Sequence, residues 1–260
     1  PPNTAIVKIV LILRDHDVDI NKYAFYSAHS LMNYFYNKKI QAGEYLFTKG
    51  MTLTDILKNM MLGKVIKHHI TIPEGYTISQ IMNLLATKNN IKDDKSFYSK
   101  ILTKEGYFLP ETYFYTYNTE QTEILSYMAS SMKEFLQKEW LKRDKKIDSV
   151  ISNWHELLTL ASIIEKETIL SEEKPVIAGV YINRLKRDIR LQADPTVIYG
   201  LTQGRVEFKR KVRYKDLKFD SQYNTYIYKG LPPTPICNPG KDSILAALHP
   251  KWHDYLFFVA

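Results

Sequence analysis

LLTLASIIEKET, residues Leu157 to Thr168, is a hydrophobic run that closes on two glutamates separated by one lysine. On a helix, at about 100° per residue, Lys166 turns away from the apolar residues. Glu165 then falls beside Leu158 and Ala161, and Glu167 beside Leu160 and Ile163. Both carboxylates sit at the edges of a buried face. A carboxylate there is costly to desolvate unless it finds a cation or takes up a proton. A protonated carboxyl at the edge of a core is what a general acid requires. Pairing with Lys or Arg on neighbouring elements is the plainer outcome, and the helix alone favours it. Geometry on this helix does not choose between Glu165 and Glu167.

Outward from this helix the chain reads as α+β. Asn153 is its N-cap, and Thr119 to Lys142 forms a long helix before it. Ser171 to Arg187 forms the next helix, with Pro175 tolerable only near its start. Asp194-Pro195-Thr196 is a turn or helix-start signal. Val206 to Phe219 reads as a basic hairpin insertion. Gly230 to Gly240, GLPPTPICNPG, is a loop held rigid by its prolines, and a rigid loop that long implies a binding role. Asp242 to Leu248 is a short helix and Tyr255 to Ala260 a final buried strand.

Towards the N-terminus, Ile6 to Leu13 reads as a buried strand, Ala28 to Tyr36 as a helix, and Ala42 to Phe47 as a turn and strand. Thr52 caps a helix that stops at Gly63. Val65 to Ile72 alternates as a strand, and Thr77 caps a helix to about Lys88. Lys92 to Thr103 is a further helix. Glu105 to Tyr115, EGYFLPETYFY, is an aromatic loop around Glu111. It serves either as a ligand wall or as a plug for a hydrophobic groove.

The composition is that of a globular chain of 260 residues, large enough for one large domain or two smaller ones. Nineteen tyrosines supply apolar rings with polar tips, which suits sugar or peptide surfaces. The net charge of +8 favours anionic partners. It is spread along the chain, densest at Lys142–Lys146 and Lys209–Arg213, and no nucleic-acid motif frames either run. One cysteine, Cys237, allows neither an internal disulfide nor a Cys-based zinc site. The seven histidines form no metal set. No apolar run is long enough to span a bilayer. The chain opens on Pro1-Pro2 without a signal-peptide pattern, as expected if an anchor or signal has been removed.

Taken together the motifs resemble the endolytic murein transglycosylases of the bacterial inner membrane, the YceG-like family. The matching pieces run in order: AGEYLF (42–47), IPEGYT (72–77), EGYFLPETYFY (105–115), LASIIEKET (160–168), INRL (182–185), LQADPTVIYG (191–200), YNTY (223–226), GLPPTPICNPG (230–240), AALHP (246–250) and YLFFVA (255–260). Ala193, Glu111 and Thr234 depart from the usual Thr, Asp and Gly. The chain stops before the family's C-terminal segment and lacks its N-terminal membrane helix.

The resemblance implies a small LysM-like subdomain over residues 1–68 and a mixed α/β catalytic domain over 69–260. It implies cleavage of the bond between N-acetylmuramic acid and N-acetylglucosamine in nascent glycan strands, leaving 1,6-anhydro ends and ending strand growth. Glu167, the second Glu of EKET, is the implied catalytic acid. Gln192, Asp194 and Asn224 are expected to bind sugar groups or orient Glu167. Tyr199, Tyr223 and Tyr226 are expected to line the cleft, with Glu111, Tyr113 and Tyr115 as further candidates. Each of the polar residues could instead cap a turn.

No cofactor or metal is expected. The expected partners are glycan strands, peptidoglycan synthases (penicillin-binding proteins) and, through the missing anchor, the inner membrane, with the globular part on the wall side. Three other readings compete. The first is a non-catalytic peptidoglycan-binding protein. The second is a pyridoxal-phosphate lyase, for which no phosphate cradle is visible. The third is a nucleic-acid binder, which has only the net charge behind it.

Overall fold

The computed structural model describes residues 4–93 and 101–258. The chain divides into two units, Pro1–His69 with Phe114–Thr119, and Ile70–Tyr113 with Glu120–Ala260. The fold is α+β, and among the described residues its β structure is confined to two short two-stranded sheets.

The first unit is built from α1 (Ile6–Asp15), α2 (Lys22–Tyr36) and α3 (Leu53–Met61). The strand expected at Ile6–Leu13 is therefore a helix. Val10 and Leu13 are buried while Val7 and Leu11 are exposed, a helical stripe. Both faces of this run are apolar, so the sequence carries no visible period. Asn21 starts α2 ahead of Ala28 by accepting from the Tyr23 and Ala24 amides. Thr52 and Asp55 close a reciprocal capping box on α3. Residues 42–47 form no strand. There the Tyr45 and Phe47 rings stack, and the Tyr45 hydroxyl donates to the Gln41 carbonyl. The core gathers Phe25, Met32, Leu57 and Met61 around α1. The strand expected at Val65–Ile72 shortens to β1 (His68–Thr71).

In the second unit Thr77 and Gln80 form a capping box on α4 (Ile78–Ala86). The strand β2 (Ile91–Lys92) follows. Most of the helix expected at Lys92–Thr103 lies outside the described residues. β3 (Thr112–Tyr115) and β4 (Thr119–Glu120), like β1, each include residues of both units; the two sheets are β1 with β3 and β2 with β4. The remaining helices are α5 (Gln121–Trp140), α6 (Trp154–Glu167), α7 (Lys174–Lys186), α8 (Asp194–Thr202) and α9 (Lys241–Leu248).

The centre of this unit is α6, started by the Asn153 side chain accepting from the Glu156 amide. Leu157 through Ile164 are all buried, so the helix has no solvent face between its first and last turns. It packs against α7 and α9 in a core that includes Ile177, Tyr181, Ile244 and Leu248. Truncating any of its fully buried leucines to Ala is expected to cost about 2–5 kcal/mol.

Two further expectations change. Val206–Phe219 holds no strand. Its one regular turn, Asp216–Lys218, follows from the Asp216 carboxylate, which accepts from Arg210 and from the Arg213 amide and so closes the loop without strand pairing. Residues 255–258 form no strand either, and Tyr255 and Phe257 are exposed. Side chains of α7 take the backbone carbonyls that a strand partner would take. Asn183 donates to those of His253 and Tyr255, and Arg184 to that of Leu256. Gly179 makes this possible, because a Cβ there would lie 2.3 Å from the Lys251 carbonyl oxygen. Residues 259 and 260 of the expected strand lie outside the described residues.

Candidate active site

The last turn of α6 sends its two carboxylates to different neighbours. Glu165 accepts from the Gly240 amide at 3.0 Å and the Ser243 hydroxyl at 2.6 Å, at the start of α9. Its other neighbour is the Lys174 ammonium, 3.4 Å away and almost fully buried. Glu165 is thus the anion at the N-terminus of one helix and the counter-ion of a buried lysine. Glu74 lies 4.0 Å from the same lysine. Its carboxyl is held above the ordinary range by burial and then by the Glu165 charge.

Glu167 faces α7 and the start of α8. Its Oε1 accepts the Tyr181 hydroxyl at 2.6 Å. Burial pushes its carboxyl above the ordinary range. The Tyr181 hydrogen bond opposes this, and the nearby Asp194 charge adds to it. Burial, then the Glu167 charge, raise the Tyr181 hydroxyl far above its usual range. Asp194 accepts the Tyr226 hydroxyl at 2.7 Å. The Tyr226 hydroxyl is raised by burial, then by its bond to Asp194, with Glu167 adding to the rise. Glu167, Tyr181, Asp194 and Tyr226 therefore form one electrostatic cluster.

A buried scaffold brings these residues together. The Thr225 hydroxyl accepts from the Ala193 amide at 3.0 Å and shares a hydrogen with the Thr196 hydroxyl at 2.8 Å. The Gln192 amide donates to the Thr225 carbonyl at 3.1 Å. The 223–226 loop is thereby fixed to the first turn of α8. Arg184, itself buried, donates to the Leu191 carbonyl at 2.7 Å and lies 3.4 Å from Gln192 Oε1. Gln192 is exposed at the edge of the cluster, with a left-handed backbone φ of 50°. Neither Tyr181 nor Arg184 was singled out by the sequence reading. The INRL motif that Tyr181 precedes was the available signal.

The other expected site residues lie elsewhere. Asn224 is fully buried, and its Nδ2 donates to the Leu217 and Phe219 carbonyls while its Oδ1 accepts the Tyr226 amide. It shapes the loop that presents Tyr226 and has no face to offer a sugar. Glu111 pairs with Lys241, the neighbour of Gly240, on the Glu165 side. Tyr113 is buried with its hydroxyl on the Leu109 carbonyl, and Tyr115 is buried as well. Tyr199 packs on Tyr223, ring centres 4.8 Å apart, and its hydroxyl points to Glu105 at 3.4 Å.

Glu105 forms a second cluster that the sequence reading missed. It is buried, and Oε1 accepts from the Ile78 amide and from Asn238 Nδ2, both at 3.0 Å. Burial lifts its carboxyl from 4.5 to about 7, against those hydrogen bonds. Asn238 also accepts the Phe108 amide and donates to the Tyr76 carbonyl. The Gly230–Gly240 loop therefore braces Glu105, Ser162 and Glu165.

Among the described residues no group of His, Cys, Asp and Glu could hold a metal, and no helix is long and apolar enough to cross a membrane. A protein-family profile described as the YceG-like family matches residues 1–260. An endolytic murein transglycosylase of Bacillus subtilis is 34% identical, over 100% of this chain and 77% of its own length. One of Streptococcus pneumoniae is 30% identical over 89% of this chain, which spans about half of that longer protein, 49%. The crystal structure of a YceG-like protein from Listeria monocytogenes is 34% identical, with a TM-score of 0.60 over 100% of this chain and 91% of that one. From its first α-helix to the segment packed on α7, this chain belongs to the YceG-like family.

Proposed function

We propose that this chain is an endolytic murein transglycosylase, a lyase acting on peptidoglycan, with Glu167 as its single acid–base residue. The observation that carries this reading is the half-buried Glu167 carboxyl, held by Tyr181 and raised by burial. A carboxyl in that state holds a proton closer to neutral pH than an exposed one. In this reading protonated Glu167 donates to the glycosidic oxygen as the bond to C1 of the N-acetylmuramic acid breaks. The sugar's own C6 hydroxyl oxygen closes on C1, and its proton returns to the carboxylate. The product is a 1,6-anhydro end, no water is consumed, and no second carboxylate is required, unlike two-carboxylate hydrolysis.

The supporting roles follow the cluster. Asp194, Tyr226 and Gln192 are proposed to contact the sugars, with Tyr181 and Arg184 positioning the cluster. The first unit is proposed to be a LysM-like glycan-binding module. The resemblance further implies an N-terminal membrane anchor, a wall-side location and a place near the peptidoglycan synthases. The test is digestion of purified glycan strands followed by mass spectrometry of the muropeptides. Wild type is expected to give internal cuts with anhydro ends, and Glu167→Gln none at a comparable rate. Anhydro ends released by Glu167→Gln at the wild-type rate would overturn the assignment. Glycan binding by wild type without turnover would favour the binding-only reading.

A further inference from the structure

Residues 205–219 carry seven Lys and Arg against two acids, a net of +5 in a chain whose net charge is +8. The segment around the Lys209–Arg213 run, one of the two densest, thus accounts for more than half of the excess charge. Arg205, Lys209, Lys211, Arg213, Lys215 and Lys218 are all exposed. One of the two acids, Asp216, is turned inward and only 5% exposed, taken up by Arg210 and the Arg213 amide. The other acid, Glu207, is exposed and lies 3.8 Å from Lys209, so the surface the segment offers to a partner is predominantly cationic.

Apolar side chains stand exposed between these cations. Val206 is 67%, Tyr214 75% and Phe219 42% exposed. Single exposed apolar residues are ordinary. Three of them within a fifteen-residue run of outward cations match an interfacial segment, whose cations meet lipid phosphates while apolar and aromatic groups enter the headgroup layer. A polyanionic polymer would use the cations and leave the apolar groups without a role.

The segment is also held in shape. Lys218 lies over the Tyr214 ring at 4.7 Å and Arg210 over the Phe208 ring at 4.5 Å. The Gly204 carbonyl at its start accepts the buried Thr77 hydroxyl at 2.7 Å. The Leu217 and Phe219 carbonyls at its end accept from Asn224. One flank is thus α8, which begins with Asp194, and the other is the loop that carries Tyr226.

We propose that residues 205–219 dock the protein on an anionic lipid surface and so set the height of the Asp194–Tyr226 cluster above it. The inference rests on this segment's residues and not on the role of Glu167. The test is co-sedimentation of the purified full chain with vesicles of phosphatidylglycerol and phosphatidylcholine, compared with phosphatidylcholine alone. Two variants report on it, Lys209→Gln/Lys211→Gln/Arg213→Gln and Val206→Ser/Tyr214→Ser, both sparing the Arg210–Asp216 closure. Wild type is expected to bind only the anionic vesicles, with an affinity that falls as salt rises. The charge variant should lose at least about tenfold and the apolar variant at least about threefold.

Equal binding to neutral vesicles, or an unaffected charge variant, would overturn the proposal. So would an apolar variant that binds like wild type while soluble poly(glycerol phosphate) competes, since that result assigns the surface to a polyanion. Turnover of soluble glycan by both variants is expected to match wild type. Failure at the vesicle therefore stays distinguishable from failure of the Glu167 reading.

Discussion

The Tyr181 hydroxyl reaches Glu167 Oε1 at 2.6 Å, while Oε2 of the same carboxyl has no hydrogen-bond partner among the described residues. Tyr181 donates its hydrogen to Oε1, so a proton on this carboxyl resides on Oε2, the oxygen that the proposed mechanism leaves for substrate. Tyr181 and Asp194 act on this carboxyl in opposite senses, the first lowering its pKa and the second raising it.

Opposite pH shifts follow for two single variants. Tyr181→Phe keeps the ring against Phe258 and removes only the hydroxyl. Glu167 should then stay protonated to higher pH, so the basic limb of the pH–rate profile moves up. The lost hydrogen bond should cost about tenfold in kcat. Asp194→Asn removes the charge that raises Glu167, so the same limb moves down. Two profiles that move together, or neither moving, would contradict the shared cluster.

Glu165→Gln should injure the fold before the chemistry. It leaves the Lys174 ammonium buried with only Glu74 nearby, at 4.0 Å. Breaking a buried pair from one side typically costs about 3–5 kcal/mol, and the remaining Glu74 places this variant towards the lower end. Denaturant unfolding should show the loss. At a temperature where the variant is folded, its turnover should stay within about tenfold of wild type, against the about 100-fold or greater loss expected for Glu167→Gln.

Stability should fall between pH 5 and pH 8 through Glu105. Its folded pKa of about 7 lies above the ordinary 4.5. The group's contribution is therefore fully present below 4.5 and is lost as pH rises through about 7. A carboxyl moved that far carries about 3 kcal/mol of pH-dependent stability. Glu105→Gln can still accept from Ile78 and Asn238, so its unfolding midpoint should vary much less over this range. Parallel curves for wild type and variant would remove Glu105 as the cause.

Asn238→Ala should be among the most damaging loop substitutions. It leaves the Phe108 amide without its partner and removes one of the donors to Glu105, in a fully buried place, while the Tyr76 carbonyl keeps the residue-238 backbone amide. Buried groups left unsatisfied cost about 1–3 kcal/mol each. With one amide orphaned and one bond to Glu105 lost, the expected loss is about 2 kcal/mol, readable as a drop in Tm. An exposed loop proline such as Pro233 should tolerate Ala with far less effect.

Local chemistry carried much of the fold. Thr52, Thr77 and Asn153 announce their helices because each can bond an amide that the first turn leaves free. Ile6–Leu13 misled because burial there is decided by partners the sequence does not show. The site divided in a similar way. Asp194 and Tyr199 look adjacent in LQADPTVIYG, but five residues on a helix place them about 140° apart. One meets Tyr226 and the other Glu105. Glu105 itself was hidden, because a Glu-Gly pair reads as a turn and its donors come from residues far away in the chain.

Glu167, the proposed acid, is the final residue of its helix, where helices ordinarily fray. Here the last turn is clamped from both sides. Glu165 is bound at the start of α9, and beyond the end Thr168 donates to Glu173 at 2.6 Å and accepts the Leu170 amide. The disorder of a helix end is thus removed during folding and not at each turnover. Under the proposed mechanism an arriving glycan meets a proton donor already in place, and amide exchange at the end of α6 should be as slow as in its middle.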